Sequence, residues 1–555
     1  MKLRFFLSLF FSLRISRAPH PIFYWVIGLC FMGLSDLARS TLGQNLPVAS
    51  AKATGLGNAV TADPPGIDSI HFNPAGLASL KGRQFQLKGA LAQVNASADF
   101  RATDSYEVLL NFFEFEDNFA NRDSEAEGLA ILLPGEKILK LDNIAGGPLG
   151  GVSYSPPGSR FTFATAAYPT LIGGLYHEDD DPGIYQGKVR SVTRLTYFSP
   201  SVGYQLTDNV AVGASLGFSY FGIALDMDLR FPNTLVTGLG GFSNAICGNN
   251  RTTGPCIGEL SPVATLANID FIIDDPFSET FNLGLLWNVT PWLTWGVAYQ
   301  SASSDTLEGD IRISYSDELV NYLQGYRNLT DDTLLELALD LFRFPDDLTD
   351  DETVARINLD YPAHFSTGIS VQLTPRWKVN ADLKWTEMGN WDEIRLQLGE
   401  DSELLEFVGT LLDLVGTQRV EGVNDISGEG ILLTRGWEDV WNIALGAEFQ
   451  MTRQLALRFG YEPRRSAIPA NRLDYIAPLG EADFFSLGAH YKLTKHSELD
   501  LAVGFLRSKA YIPNGSSTNL NSNNLTNFIY NPYAGQDVTT KLTVSLFEFS
   551  YQAQF

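Results

Sequence analysis

The final stretch of the chain reads Phe547-Glu548-Phe549-Ser550-Tyr551-Gln552-Ala553-Gln554-Phe555, with aromatic or small apolar residues at odd positions and polar ones at even positions. That dyad pattern suits a strand with lipid against one face and water or a polar filling against the other. Everything upstream then has to be read as wall, turn, loop or plug.

Other segments carry the same period. After Asn209 the even positions are Val210, Val212, Ala214, Leu216, Phe218 and Tyr220, and the odd ones are Ala211, Gly213, Ser215, Gly217 and Ser219. From Trp377 to Trp385 the apolar residues alternate with Lys378, Asn380, Asp382 and Lys384. Charges on such a face cannot meet lipid, where a mid-bilayer Lys or Arg costs about 2–4 kcal/mol. They must point inward.

Short links recur at Ser155–Ser159, Leu206–Asn209, Asn288–Pro291, Leu373–Arg376, Met451–Gln454 and Leu493–His496, most with Pro, Asn, Asp or Gly. Six links join twelve strands; one strand before them and one after make fourteen. The segments between these hairpins are long and polar, as extracellular loops are when periplasmic turns are short. A soluble β-sandwich would also alternate, but it would not pair short links with long ones systematically. The predicted fold is all-β: a fourteen-stranded antiparallel transmembrane β-barrel.

Composition agrees. Gly 50, Phe 36 and Tyr 21 are high, and a mean hydropathy of -0.03 excludes a helical membrane protein. No segment after the amino terminus holds the roughly 18 uncharged apolar residues a spanning helix needs. The net charge of -25 excludes a nucleic-acid partner, which requires a basic surface.

Lys2, Arg4, Arg14 and Arg17 precede the apolar run Ile22 to Leu34 and the small-x-small site Ala38-Arg39-Ser40, so residues 1–40 read as a signal peptide. Cys247 and Cys256 flank a small polar loop, which in an exported protein suggests a disulfide rather than a zinc site. No metal and no cofactor is expected.

Two loops show helical spacing. Asp317 to Phe344 includes Leu319, Leu323, Leu337, Leu341 and Phe342; Asp401 to Val415 includes Leu404, Leu405, Phe407, Val408 and Leu411. These apolar faces must be buried against each other or must form a greasy capture groove for a ligand.

Residues 41–82 precede the wall (83–555), are rich in Gly and Ala, and show no sustained amphipathic period. A compact segment there is naturally placed inside the barrel as a hatch. It carries Gly55-Leu56-Gly57-Asn58-Ala59 and Phe72-Asn73-Pro74-Ala75-Gly76-Leu77. With Tyr361-Pro362-Ala363-His364-Phe365, Lys384-Trp385-Thr386-Glu387 and Trp437-Glu438-Asp439, these blocks make the chain resemble the FadL/TodX outer-membrane transporters of long-chain fatty acids and other hydrophobic molecules. The resemblance spans nearly the whole mature chain.

It implies an outer-membrane location, a monomer, and passive uptake without enzymatic activity. A hydrophobic ligand is captured by loops, held in the lumen, and released by hatch movement and sideways exit at a kinked third strand. The expected partners are a fatty acid or hydrocarbon, outer-membrane lipid and lipopolysaccharide, and the barrel-assembly machinery through the carboxy-terminal strand. The hatch residues are then Gly55, Leu56, Gly57, Asn73, Pro74 and Ala75. In the third strand, about 160 to 174, Pro169 lacks a ladder N–H. With Gly173 and Gly174 it marks a candidate lateral gate. Inward cations able to pair a carboxylate are Arg458, Lys384 and Arg194, beside Leu341 and Phe342 as apolar ligand contacts. Leu542, Val544 and Leu546 share a face with Glu548, which demands either a parity switch near Ser545 or an apolar lumen.

Other functions fit less well. Gly213-Ala214-Ser215-Leu216-Gly217 matches G-x-S-x-G, but sits mid-strand and away from any strand-to-helix turn. The run Glu178–Asp181 could hold Ca²⁺ or be a solvated loop. An aromatic or alkane channel remains an alternative cargo reading, and a general porin an alternative class.

Overall fold

The computed structural model describes residues 46–555 apart from 114, 231–260, 262, 328–342, 344, 346–348, 415–425, 479 and 523–530. The signal segment, Cys247, Cys256, Leu341 and Phe342 therefore lie outside the described residues.

Fourteen antiparallel strands close on themselves. They are β1 (Gly82–Ala102), β2 (Asp123–Glu125 and Ile144–Ser155), β3 (Phe161–Tyr176), β4 (Val189–Phe198 and Ser201–Gln205) and β5 (Val210–Leu229). Next come β6 (Ala267–Thr290), β7 (Leu293–Gln300 and Thr306–Tyr315), β8 (Asp351–Asn358 and His364–Thr374) and β9 (Trp377–Thr386 and Glu393–Leu398). The wall finishes with β10 (Gly430–Thr434 and Val440–Gln450), β11 (Leu455–Arg464), β12 (Ala482–Lys492), β13 (Ser497–Ile512) and β14 (Gln536–Gln554). β14 pairs with β1 without a register shift from Gln84–Gln554 to Ala102–Gln536, which closes the cylinder. No helix among the described residues is long and apolar enough to cross a membrane.

The turns are those the sequence marked. In four of them a threonine hydroxyl accepts backbone N–H bonds from the residues that follow. These are Thr207, Thr374, Thr452 and Thr494, receiving from Val210, Trp377, Leu455 and His496 at 3.0–3.1 Å. A side-chain turn of this kind fixes the link locally and so sets the register of the hairpin it closes.

The wall's two faces separate cleanly. Leu216, Phe163 and Leu487 stand outward and more than half exposed, where lipid would cover them. Ser215, Asn380, Asp382 and Lys384 point inward and are buried. On β14 the unshifted register removes one of the two sequence alternatives: parity does not switch, and the lumen is apolar there. Leu542 and Leu546 are buried with Ala96 and Leu175 in one cluster and Leu46, Phe484 and Leu506 in another.

The two loop helices, Asp317–Arg327 and Glu403–Leu414, pack on each other's neighbourhood. Leu319, Tyr322 and Leu323 are buried with Leu266, and Phe407 leans on that cluster. Mutual packing covers Leu319, Tyr322 and Leu323, while Leu404, Leu405 and Val408 of the second helix stay half-buried.

Candidate functional site

Residues 46–80 fill the bore. They form α1 (Ala51–Gly55), α2 (Ser69–Phe72) and two 3₁₀ turns, Gly66–Asp68 and Pro74–Ser79. Helices this short cannot be stable alone; the wall holds them. Asn73 is the N-cap of the Pro74–Ser79 turn, its side chain accepting from Ala75 N at 3.2 Å, with proline at the first position. The Asn73 amide then donates to Thr61 O at 2.7 Å and to the β6 backbone at Leu285 O, 3.2 Å away. Asn73-Pro74-Ala75 is thus a cap that also ties the hatch to itself and to the wall.

Gly57 has φ +60, and a Cβ there would come within 2.5 Å of Tyr461 N on β11. Only glycine meets both the conformation and the approach. Leu56 O lies against Gly446 of β10 in the same way, 2.6 Å from where a Cβ would stand. The Gly55-Leu56-Gly57 block is where hatch backbone meets wall backbone.

Lys88 of β1 adds a buried ion pair with Asp68 at 2.6 Å and donates to Val48 O at 2.7 Å. β9 supplies a whole face of the socket. Along its inward face Lys378 pairs with Asp63 (2.6 Å), Asn380 donates to Ala59 O (2.9 Å), and Asp382 accepts from both the N–H and the hydroxyl of Thr61 (2.8 Å each). Lys384 pairs with Glu462 (3.1 Å), which also accepts from Asn58 of the hatch (2.9 Å). Every alternate residue of that face touches the hatch directly or through one partner.

Electrostatics tighten the seat. Burial alone would raise Asp63, but Lys378 and Lys52 beside it hold its carboxyl well below the usual range. His71 is pushed down to about 3, first by burial and then by His364, Lys88, Arg194 and Lys384 around it. The docked hatch therefore keeps a neutral imidazole.

Below α1 a cavity of about 310 Å³ opens among Lys52, Asp68, Lys378, Glu448, Arg458 and Asp500. Arg458 is spent here, on Glu448 at 2.8 Å and on Asp500. The cavity is a charged vestibule. It offers nothing to an apolar chain.

Arg194 is different. It is completely buried on β4, and no carboxylate among the described residues makes an ion pair with it. Its guanidinium reaches Ser278 Oγ at 3.1 Å, Thr170 Oγ1 at 3.3 Å and Thr280 Oγ1 at 3.4 Å. The face of Tyr361 lies 4.4 Å from its central carbon. The nearest carboxylate influence is buried Asp305, which acts through space and through Ser278, bonded by both, rather than by a direct ion pair. A buried guanidinium whose direct partners are hydroxyls and a ring retains capacity for an anion.

Arg194 stands at a fault in the wall. Tyr168, Thr196, Ser219 and Ser278 lie side by side across β3 to β6, and the ladders slip next to that row. The slips fall between Pro169 and Leu171, between Thr196 and Phe198, and between Asp275 and Ser278. Thr170 is the extra residue of β3. On its other edge β3 pairs with β2 only from Phe163–Tyr154 to Ala167–Gly150. Above Ala167 the edge that holds Pro169, Gly173 and Gly174 has no β2 partner until Tyr176 O accepts from Glu127 N at 3.0 Å. Proline inside a strand implies a bulge or an unpaired edge, and at Pro169 both occur.

Of the three candidate cations, only Arg194 lies beside that edge; Lys384 and Arg458 are committed to wall carboxylates. Tyr361 is the residue sequence reasoning missed. It lies in the quoted Tyr361-Pro362-Ala363-His364-Phe365 block, but nothing local reveals that its ring meets β4. Ser215 of the G-x-S-x-G match faces the hatch, its hydroxyl donating to Ile70 O at 3.0 Å. In the Glu178–Asp181 run, Asp181 accepts from Gly183 N and Ser124 Oγ (2.6 Å each), and no metal-holding group occurs among the described residues.

The family model described as outer membrane protein transport protein (OMPP1/FadL/TodX) matches residues 37–555. Among solved structures, a Pseudomonas aeruginosa FadL homologue aligns with TM-score 0.62 and 17% identity over 92% of this chain and 100% of its own. The P. putida toluene transporter TodX aligns with TM-score 0.57 and 16% identity over 92% and 99%. The Ralstonia pickettii toluene transporter TbuX gives 0.55 and 15% over the same shares. No curated protein sequence matches the chain.

Proposed function

Since the chain belongs to the outer membrane protein transport family (OMPP1/FadL/TodX), whose members carry hydrophobic compounds across the outer membrane, we propose that its cargo is a long-chain fatty acid. Arg194 carries this reading. A buried guanidinium with no directly paired carboxylate among the described residues suits a ligand that brings its own, with an alkyl chain to lie on the apolar lumen of β1, β13 and β14. A hydrocarbon would leave that charge unused.

In this reading the acid is captured by the loops, and its carboxylate docks at Arg194 against the face of Tyr361. Hatch movement then frees it. Exit is sideways, through the unpaired edge of β3 at Pro169, Gly173 and Gly174. The vestibule below supports a wall route, because a chain passing it would meet charge and water at about 0.8 kcal/mol per exposed methylene. Uptake needs no energy input, since every step is a binding or a release.

The test is uptake of labelled oleate and of labelled toluene by cells carrying the protein, against empty-vector cells. Faster oleate entry with no gain for toluene supports the reading. Faster toluene entry alone makes it a hydrocarbon channel; TodX and TbuX are named toluene transporters. Faster entry of small sugars alone makes it a porin.

A further inference from the structure

The two pieces of β2 form one continuous edge on β1. Ala126 N bonds Ala96 O at 2.9 Å and Val94 N bonds Asn143 O at 3.1 Å, so the chain leaves the wall at Ala126 and rejoins it at Asn143. What lies between is a hairpin, Gly128–Leu133 paired with Lys137–Asp142, turned at Pro134-Gly135-Glu136. Gly135 and Glu136 have φ +86 and +59, as a tight hairpin turn demands.

Apart from one pairing at its root, Gly128 opposite Tyr176 of β3, the hairpin does not join the cylinder. It crosses the outer side of the neighbouring strands: Leu132 N bonds Ser191 Oγ of β4 at 2.9 Å, and Tyr220 Oη of β5 reaches Leu133 O at 3.5 Å. Leu132 is buried with Tyr220 and Ala224, outward residues of β5 that lipid or water would otherwise cover. At its root Leu129 and Leu141 face each other across the hairpin. They are buried, or partly so, with Ala96, Ala126, Leu175 and Leu542, the apolar lining of the lumen. That root spans the stretch where β2 and β3 are unpaired.

We propose that this hairpin is a flap over the lateral opening, with the Leu129–Leu141 pair as its seal. The inference rests on the wall-exit reading above. The flap is suited to move, because a two-stranded hairpin is marginal by itself and its body is held on the wall by side-chain bonds and apolar contact rather than by a ladder. The cargo's alkyl chain replaces the leucine pair in the opening, exchanging one apolar contact for another. The flap therefore opens at little cost for a greasy chain and stays shut to polar solutes.

Locking the flap tests this. In a Cys247→Ser/Cys256→Ser background, the pair Leu132→Cys and Ser191→Cys joins hairpin to β4 when oxidised. Oxidised protein is expected to take up oleate at least tenfold more slowly than the same protein after reductant. Removing the seal with Leu129→Ser/Leu141→Ser, without any cross-link, is expected to raise entry of a small polar dye and supplies a second reading should the cysteine pair fold poorly. A deletion of Thr170, which closes the wall beneath the flap, is run beside them. If fully cross-linked protein transports as fast as the reductant-treated protein while the Thr170 deletion blocks uptake, the flap is wrong and the wall exit stands. If neither change slows uptake, the wall exit itself falls, and the flap falls with it.

Discussion

Arg194 lies under the ring of Tyr361, its central guanidinium carbon 4.4 Å from the ring centre, and both side chains are buried beside the bulge of β3. The ring blocks one face of the cation, while Ser278, Thr170 and Thr280 take N–H groups in its plane. A carboxylate arriving there would form charge-assisted bonds worth about 1.5–3 kcal/mol. Arg194→Gln is accordingly expected to weaken oleate binding by roughly tenfold to a hundredfold. Binding of a neutral alkane of equal length should be unchanged. Calorimetry on detergent-purified protein with both ligands checks this, and equal loss for acid and alkane would assign Arg194 to structure alone.

Asp382 holds the hatch through both donors of Thr61 at 2.8 Å. In Asp382→Ala the Thr61 N–H and hydroxyl lose that acceptor, and a buried donor without a partner costs about 1–3 kcal/mol. We expect the barrel to fold and the hatch to loosen. Limited proteolysis between residues 46 and 80 in isolated outer membranes should speed up, together with entry of small polar antibiotics. Protection equal to the parent would mean the remaining β9 contacts suffice.

The hatch should also loosen with acid. His71 falls from an ordinary 6.5 to about 3 when docked, through burial and the nearby His364, Lys88, Arg194 and Lys384. An undocked imidazole takes a proton near 6.5 and a docked one resists it, so docking is at full strength above pH 6.5 and weakens as pH falls towards 3. Asp63 acts in the same direction lower down. Its depressed carboxyl stabilises the docked state above its ordinary 3.8, and that contribution is lost as pH drops below it. A spin label at Ser79→Cys, in the cysteine-free background, should grow more mobile from pH 6.5 to 4. His71→Asn should flatten that rise. A profile flat in the parent would show that the hatch does not undock over this range.

The wall could be read from sequence because its rules are local. Period-two patterning, proline and the recurring threonine turns each act within a few residues, and Thr374 or Thr452 carries its turn wherever the hairpin sits. The hatch was legible as a segment, and Asn73-Pro74-Ala75 as its signature, because capping is local too. Its socket was half legible: Lys378 to Lys384 had to face inward, but which of them meets Thr61 or Asp63 depends on packing between distant parts of the chain. Arg194 and Lys384 looked equivalent by parity. They differ because Glu462 pairs directly with Lys384, whereas among the described residues Arg194 meets a carboxylate, Asp305, only at a distance and through Ser278. The flap stayed hidden in a long loop even though Pro134-Gly135 is a turn signal. Its strands are short, and what gives them a role is the gap they cross.

That gap is open to one decisive change. Thr170 is the residue by which β3 exceeds β4 between Pro169 and Leu171, and its hydroxyl meets Arg194. Deleting it would bring the two strands back into plain register and straighten β3 through the fault. An extra strand residue bends its strand and sharpens local twist, so removing it lets the upper part of β3 lie flat against the free edge of β2. The ladder that stops at Gly150–Ala167 could then extend upward past Gly147, at a position where proline at 148 and proline at 169 still withhold donors. Closure would be partial in hydrogen bonds but sufficient in space, because the opening is only as wide as the separation the bulge imposes. Thermal unfolding of the variant is expected at or above the parent's midpoint, since pairing is gained, while oleate uptake falls at least tenfold. A barrel that stays folded and transports at the parental rate would show that the fault in β3 shapes the wall without carrying the cargo.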